Sequence, residues 1–119
     1  MPKAEKGVIM KILSSNDEIL LLAILKLREN AYGVTIRQEV SKATEKNWSI
    51  GAIYDPLYRL EQKGLVESIL SDPTGERGGR SKRLFTVTRK GMEKLATHKE
   101  VRDSLWDSIG EFNYEKNGS

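Results

Sequence analysis

The stretch SIGAIYDPLYRLEQKGLV, residues 49–66, decides how the rest of the chain is read. Ser49 stands where a helix N-cap belongs, because a short hydroxyl side chain accepts from the unpaired amides of a first turn. Gly64 follows Lys63 where a helix would end. Between them Ile53, Leu57 and Leu60 recur at the spacing of one helical face. Pro56 objects. It has no amide hydrogen to give Ala52, and its ring crowds that carbonyl, at a cost of about 3 kcal/mol inside a regular helix. Either Asp55 caps a helix that starts late, with Pro56 at its first position and residues 49–54 in a separate turn, or one helix begins at Ser49 and kinks after its first turn. The apolar spacing favours the single helix.

Upstream, Ser15, Asn16 and Asp17 offer caps for a helix over 17–29. Its apolar residues, Ile19 to Leu25 and Leu27, cover more than one face, so it needs cover from several sides, which a second subunit could supply. NAYG (30–33) breaks that helix. A shorter one follows from Val34 to Ala43, with Ile36 and Val40 facing inward and Thr35, Arg37 and Gln38 outward. TEKNW (44–48) reads as a polar connection. Downstream the period changes. LVESIL (65–70) and RLFTVT (83–88) have strand character, and the Gly- and Pro-bearing residues 71–82 between them read as the tip of a hairpin. Helical spacing returns from Lys90 to about Glu115, through Met92, Leu95, Val101, Leu105, Ile109 and Phe112.

Helix, helix, helix, hairpin, helix is the layout of a winged helix-turn-helix with one added helix. The expected class is therefore mainly α with a small β-hairpin (α+β). The expected divisions are an arm (1–16), the winged helix-turn-helix (17–91), a C-terminal dimerisation helix (92–115) and a short tail (116–119).

The 119 residues are enough for one domain with its own core. Without cysteine, the chain has no disulfide framework, thiolate metal site or cysteine nucleophile. His98 is the lone histidine, with no metal-ligand spacing around it, and is read as a helix-surface residue. No cofactor is implied, and no triad or phosphate loop suggests an enzyme. No apolar run approaches the roughly 20 residues of a membrane span, and the charged N-terminus does not resemble a secretory signal. A cytoplasmic protein without membrane association is expected. Net charge is +3, but six basic residues and no acidic ones lie between Arg77 and Lys90, so the remainder nets −3. Such confinement points to a local anionic partner.

Three stretches, NAYGVTIRQEV, SIGAIYDPLYRLEQKGLV and RGGRSKRLFTVTRKG, together resemble the PadR-like transcriptional regulators over about residues 17–95. The short C-terminal extension is similar to the compact subgroup. The resemblance implies a dimeric DNA-binding repressor whose last helix packs on its partner. It also implies that Tyr32, the start of the third helix (Ser49, Gly51, Ala52, Tyr54) and the wing (Gly79, Arg80, Lys82) lie near DNA.

The residues suit that chemistry. A helix N-terminus with small residues allows close approach of a phosphate. Arg80 and Lys82 beside glycines can enter a minor groove. Tyr58 and Arg59 are further candidates for backbone contacts, although a core-edge tyrosine and a solvated arginine read as easily; Arg83 is weaker. An inverted repeat of double-stranded DNA is the expected target of a symmetric dimer. For the homodimer interface the candidates are Leu21, Leu25, Val101, Leu105, Trp106, Ile109 and Phe112. In some drug-sensing relatives a tryptophan on this helix lines a pore between subunits, so a small planar effector could stack on Trp106, though plain dimer packing explains the residue equally. The alternative function is a winged-helix module that binds protein or RNA.

Overall fold

The computed structural model of the chain describes residues 12–71 and 81–110. Helix α1 spans Ser15–Leu27, followed by a single 3-10 turn at Arg28–Asn30; α2 spans Gly33–Thr44 and α3 Ile50–Gln62. Strands β1 (Val66–Leu70) and β2 (Arg83–Val87) follow, then α4, Arg89–Ile109. The cap of α1 is Ser14, one residue before the candidates offered by the sequence; its Oγ accepts from the Asp17 amide at 3.1 Å. That start leaves Asp17 and Glu18 in the first turn, where carboxylates suit the positive end of the helix dipole.

The first three helices close around one core. Leu20, Leu21 and Ile24 from α1 meet Ile36 and Val40 from α2 and Ile53, Leu57 and Leu60 from α3, all essentially without exposure. Lys26 also ties α1 to α2 through Glu39 at 2.6 Å, and that hydrogen bond holds the Glu39 carboxyl below its ordinary range. Leu21 has no surface left in this packing. Its placement at a subunit interface is therefore corrected: it belongs to the core of its own subunit.

Pro56 lies within a continuous α3. Ser49 is the N-cap, its Oγ accepting from the Ala52 amide at 3.1 Å, so a late start capped by Asp55 does not occur. The helix tolerates the proline because the carbonyl it deprives belongs to Ala52, which is exposed and open to water. At the other end Gly64 takes φ 78°. The Leu65 amide donates to the Leu60 carbonyl and the Gly64 amide to that of Glu61, both at 2.9 Å. This is the Schellman arrangement, with Leu65 and Leu60 buried together behind it.

β1 and β2 pair antiparallel from Val66↔Val87 to Leu70↔Arg83. The other edge of β2 is used as well. Tyr32 bridges Leu84, and the Phe85 amide donates to the Ala31 carbonyl at 2.9 Å. The hairpin is thereby stitched to the turn that precedes α2, a pairing invisible in NAYG as a mere helix break.

Thr88 caps α4, accepting from the Gly91 amide at 3.0 Å. A Cβ on Gly91 would stand 2.3 Å from the Leu65 carbonyl oxygen, so only glycine lets α4 begin this close to the hairpin. His98 is buried, contrary to its reading as a surface residue. Its Nε2 lies 3.5 Å from Glu18 Oε1, which also accepts from Arg102 at 3.0 Å, so the cluster locks α4 to α1. Beyond Val101 every described residue of α4 is exposed.

Replacing Pro56 by alanine returns an amide donor to Ala52 and removes the ring. Urea unfolding of Pro56→Ala is expected to show a stability gain of about 1–2 kcal/mol, the helix penalty less the lost restriction of the unfolded chain.

Candidate nucleic-acid interface

The turn between α2 and α3 is fixed by Trp48, which the sequence reading passed over as part of a polar connection. Glu45 ends α2 in the left-handed conformation, at φ 56°. Trp48 then donates from Nε1 to Thr44 Oγ1 at 2.9 Å and from its amide to Ser41 Oγ at 3.2 Å, while its carbonyl accepts from Arg37 at 3.3 Å. Its ring packs on the core. A signal was available: an aromatic residue just before the Ser49 cap, with Ile53 at the fourth helical position, is the hydrophobic staple.

Tyr54 reaches from α3 to the start of α2. A Cβ on Gly33 would lie 2.1 Å from the Tyr54 hydroxyl oxygen and 2.5 Å from the adjoining ring carbon. The ring thus occupies the place of a side chain at Gly33. Tyr58 stacks on Tyr54, with centroids 5.7 Å apart and planes 24° off parallel, an offset aromatic contact. On the other side of Gly33, Tyr32 carries the Lys82 ammonium over its ring at 4.4 Å, a cation–π distance. Thr35 holds this corner: its Oγ1 accepts from the Tyr32 amide at 3.0 Å and donates to the Asn30 carbonyl at 2.6 Å. Lys82 at the foot of the wing, Tyr32, Tyr54 and Tyr58 form one connected surface.

Ser49, Gly51 and Ala52 lie exposed at the free end of α3. Gly51 meets nothing within 4 Å of an added Cβ, so no packing within the subunit requires a glycine there. Arg59 is exposed further along the helix, with no ion pair among the described residues. Arg83 is not free in the same way. It donates to Ser68 Oγ at 3.0 Å, and Ser68 donates to Glu61 at 2.8 Å, pinning the hairpin to α3. Arg89 pairs with Glu93, and Lys90 donates to the Lys63 carbonyl. Much of the basic segment therefore holds the wing and α4 in place, which charge counting could not separate from binding. Gly79 and Arg80 lie outside the described residues.

A second surface runs along α4. Leu105, Trp106 and Ile109 are each more than half exposed, and Leu25 of α1 is 38% exposed; Val101 is half-buried. Leu22, Leu25, Met92 and Trp106 line a groove of about 550 Å³ between α1 and α4. Phe112 lies outside the described residues. Among the described residues no helix is long and apolar enough to cross a membrane, and no acidic or histidine cluster could hold a metal ion.

Comparison with known proteins agrees with this architecture. The sequence model of the transcriptional regulator PadR-like family matches residues 21–97. The chain belongs to the PadR-like family. Solved structures share the fold. A PadR-like transcriptional regulator from Bacillus cereus superposes with TM-score 0.62 at 23% identity, covering 82% of this chain and 93% of its own. A Streptococcus transcriptional regulator gives 0.64 at 21% identity, covering 92% and 95%. A PadR-like transcription factor from Bacteroides fragilis gives 0.61 at 22%, covering 77% and 84%. No curated protein matches the sequence. PadR-like proteins are DNA-binding transcription regulators, not enzymes, and the four helices and hairpin of this chain have their winged-helix form.

In this PadR-like chain the Gly33–Tyr54 contact is open to direct test. Gly33→Ala forces the tyrosine ring aside and is expected to cost about 1–3 kcal/mol in urea unfolding. In a Tyr54→Ala background the same change should cost close to nothing, a coupling that a double-mutant cycle reads directly.

Proposed function

We propose that the protein is a sequence-specific DNA-binding repressor acting as a homodimer on an inverted repeat, in the cytoplasm. The observation that carries this reading is the connected surface of Lys82, Tyr32, Tyr54 and Tyr58 beside the open first turn of α3. A cation, hydroxyls and a free helix N-terminus are the groups that hold phosphates, and the first turn is narrow enough to approach base edges. Arg80 extends the same surface along the wing, and Arg59 supplies a further phosphate contact. Arg83 acts mainly by holding the wing upright.

The dimer reading is supported by α4. Three large apolar side chains in its exposed last turns need cover that a domain of this size does not give them. Leu25, Val101, Leu105, Trp106 and Ile109 would meet the partner, with Phe112 continuing the stripe. The groove lined by Leu22, Leu25, Met92 and Trp106 is where a small planar effector would enter.

Salt dependence separates this reading from a protein- or RNA-binding module. Wild-type protein should bind DNA from upstream of its own gene with a steep loss of affinity as salt rises. Arg80→Ala combined with Lys82→Ala should reduce that slope by up to about 2, near 0.9 for each phosphate contact removed. An unchanged slope would remove the wing from the interface. In light scattering at micromolar concentration the protein should have twice the mass of one chain, and Leu105→Asp with Ile109→Asp should return it to a monomer. A wild-type monomer at that concentration would refute the dimer.

A further inference from the structure

The inward side of α3 is fixed by Ile53, Leu57 and Leu60, so at about 100° per residue its outward side carries Gly51, Asp55, Tyr58 and Gln62, all exposed. Asp55 sits in the middle of the half that leads toward the free N-terminus. One turn before it, Gly51 has no side chain, and a Cβ there would meet open space. Nothing on the helix therefore screens the carboxylate from whatever docks against the first turn. Among the described residues Asp55 has no hydrogen-bond or ion-pair partner, and Arg59, one turn later, does not pair with it. It is not needed as a cap either, because Ser49 caps the helix.

A carboxylate in that position repels the phosphates of any duplex, so its presence on a DNA-reading face calls for a specific partner. The other exposed side chains of the first two turns, Ile50 and Ala52, carry no hydrogen-bonding group, which leaves Asp55 as the only obligate acceptor there. The major groove offers amino donors at cytosine N4 and adenine N6. Guanine and thymine present acceptors at the equivalent edge, and adenine places its N7 acceptor next to N6. A carboxylate is best matched by cytosine.

We propose that Asp55 determines sequence specificity in this helix, accepting from the N4 amino group of one cytosine in each half-site and rejecting duplexes that set an acceptor opposite it. The proposal rests on the reading of α3 as the DNA-reading helix, and it adds the base class that the helix selects.

The test uses the full chain, the best-bound duplex recovered from a random pool, and a scrambled duplex, with affinities from fluorescence anisotropy. Asp55→Ala should bind the selected duplex about tenfold more weakly, the size of one lost base contact. It should bind the scrambled duplex at least twofold more tightly, because a repulsive charge is gone. Changing one cytosine per half-site to thymine should cost wild-type protein about tenfold and Asp55→Ala less than twofold. Asp55→Asn keeps the shape and carries the test should the alanine variant fail to fold; its amide should move the preference from cytosine toward adenine. If the variants select the same bases as wild type, the role of Asp55 falls while DNA reading by α3 stands. If wild-type protein recovers no preferred duplex, the DNA-reading function itself falls, and this inference with it.

Discussion

Tyr54 lying across Gly33 is the contact on which the rest of the surface depends. The glycine is the first residue of α2, and the ring fills the space that a Cβ would take. One side of that contact runs to Tyr58 and the exposed stripe of α3. The other runs through Tyr32 to β2 and to Lys82. A single close approach thus sets the angle between the helix and the hairpin. Because the approach is steric, it is stiff: a rigid ring against backbone has little room to slide.

The turn before α3 is held by a different kind of force. Trp48 combines burial of its ring with hydrogen bonds from two of its nitrogens and to its carbonyl. These contacts hold in place the short connection that α2 leaves through the left-handed Glu45. Ser49 then starts α3 at a fixed point, and the Schellman ending at Gly64 delivers the chain to β1 with Leu65 already buried. Both ends of α3 are therefore set by local hydrogen bonds, and its rotation by Ile53, Leu57 and Leu60. Pro56 does not disturb this, because the carbonyl it leaves without a donor lies on the exposed side.

The basic segment divides into two jobs that charge alone does not distinguish. Arg83, Arg89 and Lys90 are engaged with Ser68, Glu93 and the Lys63 carbonyl, and so act as fasteners for the wing and α4. Lys82 is exposed over Tyr32 and presents its charge outward. At the far side of the molecule, His98, Glu18 and Arg102 fasten α4 to α1. That buried cluster couples the helix bearing the exposed apolar stripe to the core from which α3 projects.

Local patterns determined the elements. Spacing of apolar residues, the Ser49 and Gly64 signals and the change of period after Gly64 placed three helices, a hairpin and a last helix within a residue or two of their observed bounds. These features act within a turn or a strand, so neighbours in sequence carry the whole signal. Contacts between distant residues were decided only by the tertiary structure. The pairing of Tyr32 with Leu84, the seat of Tyr54 on Gly33 and the burial of His98 against Glu18 join residues far apart in the chain or on different elements. The same is true of Leu21, whose apolar character suited a subunit interface and the core equally until packing assigned it to the core. Sequence pattern says which side chains must leave water; only the folded chain says against what they are buried.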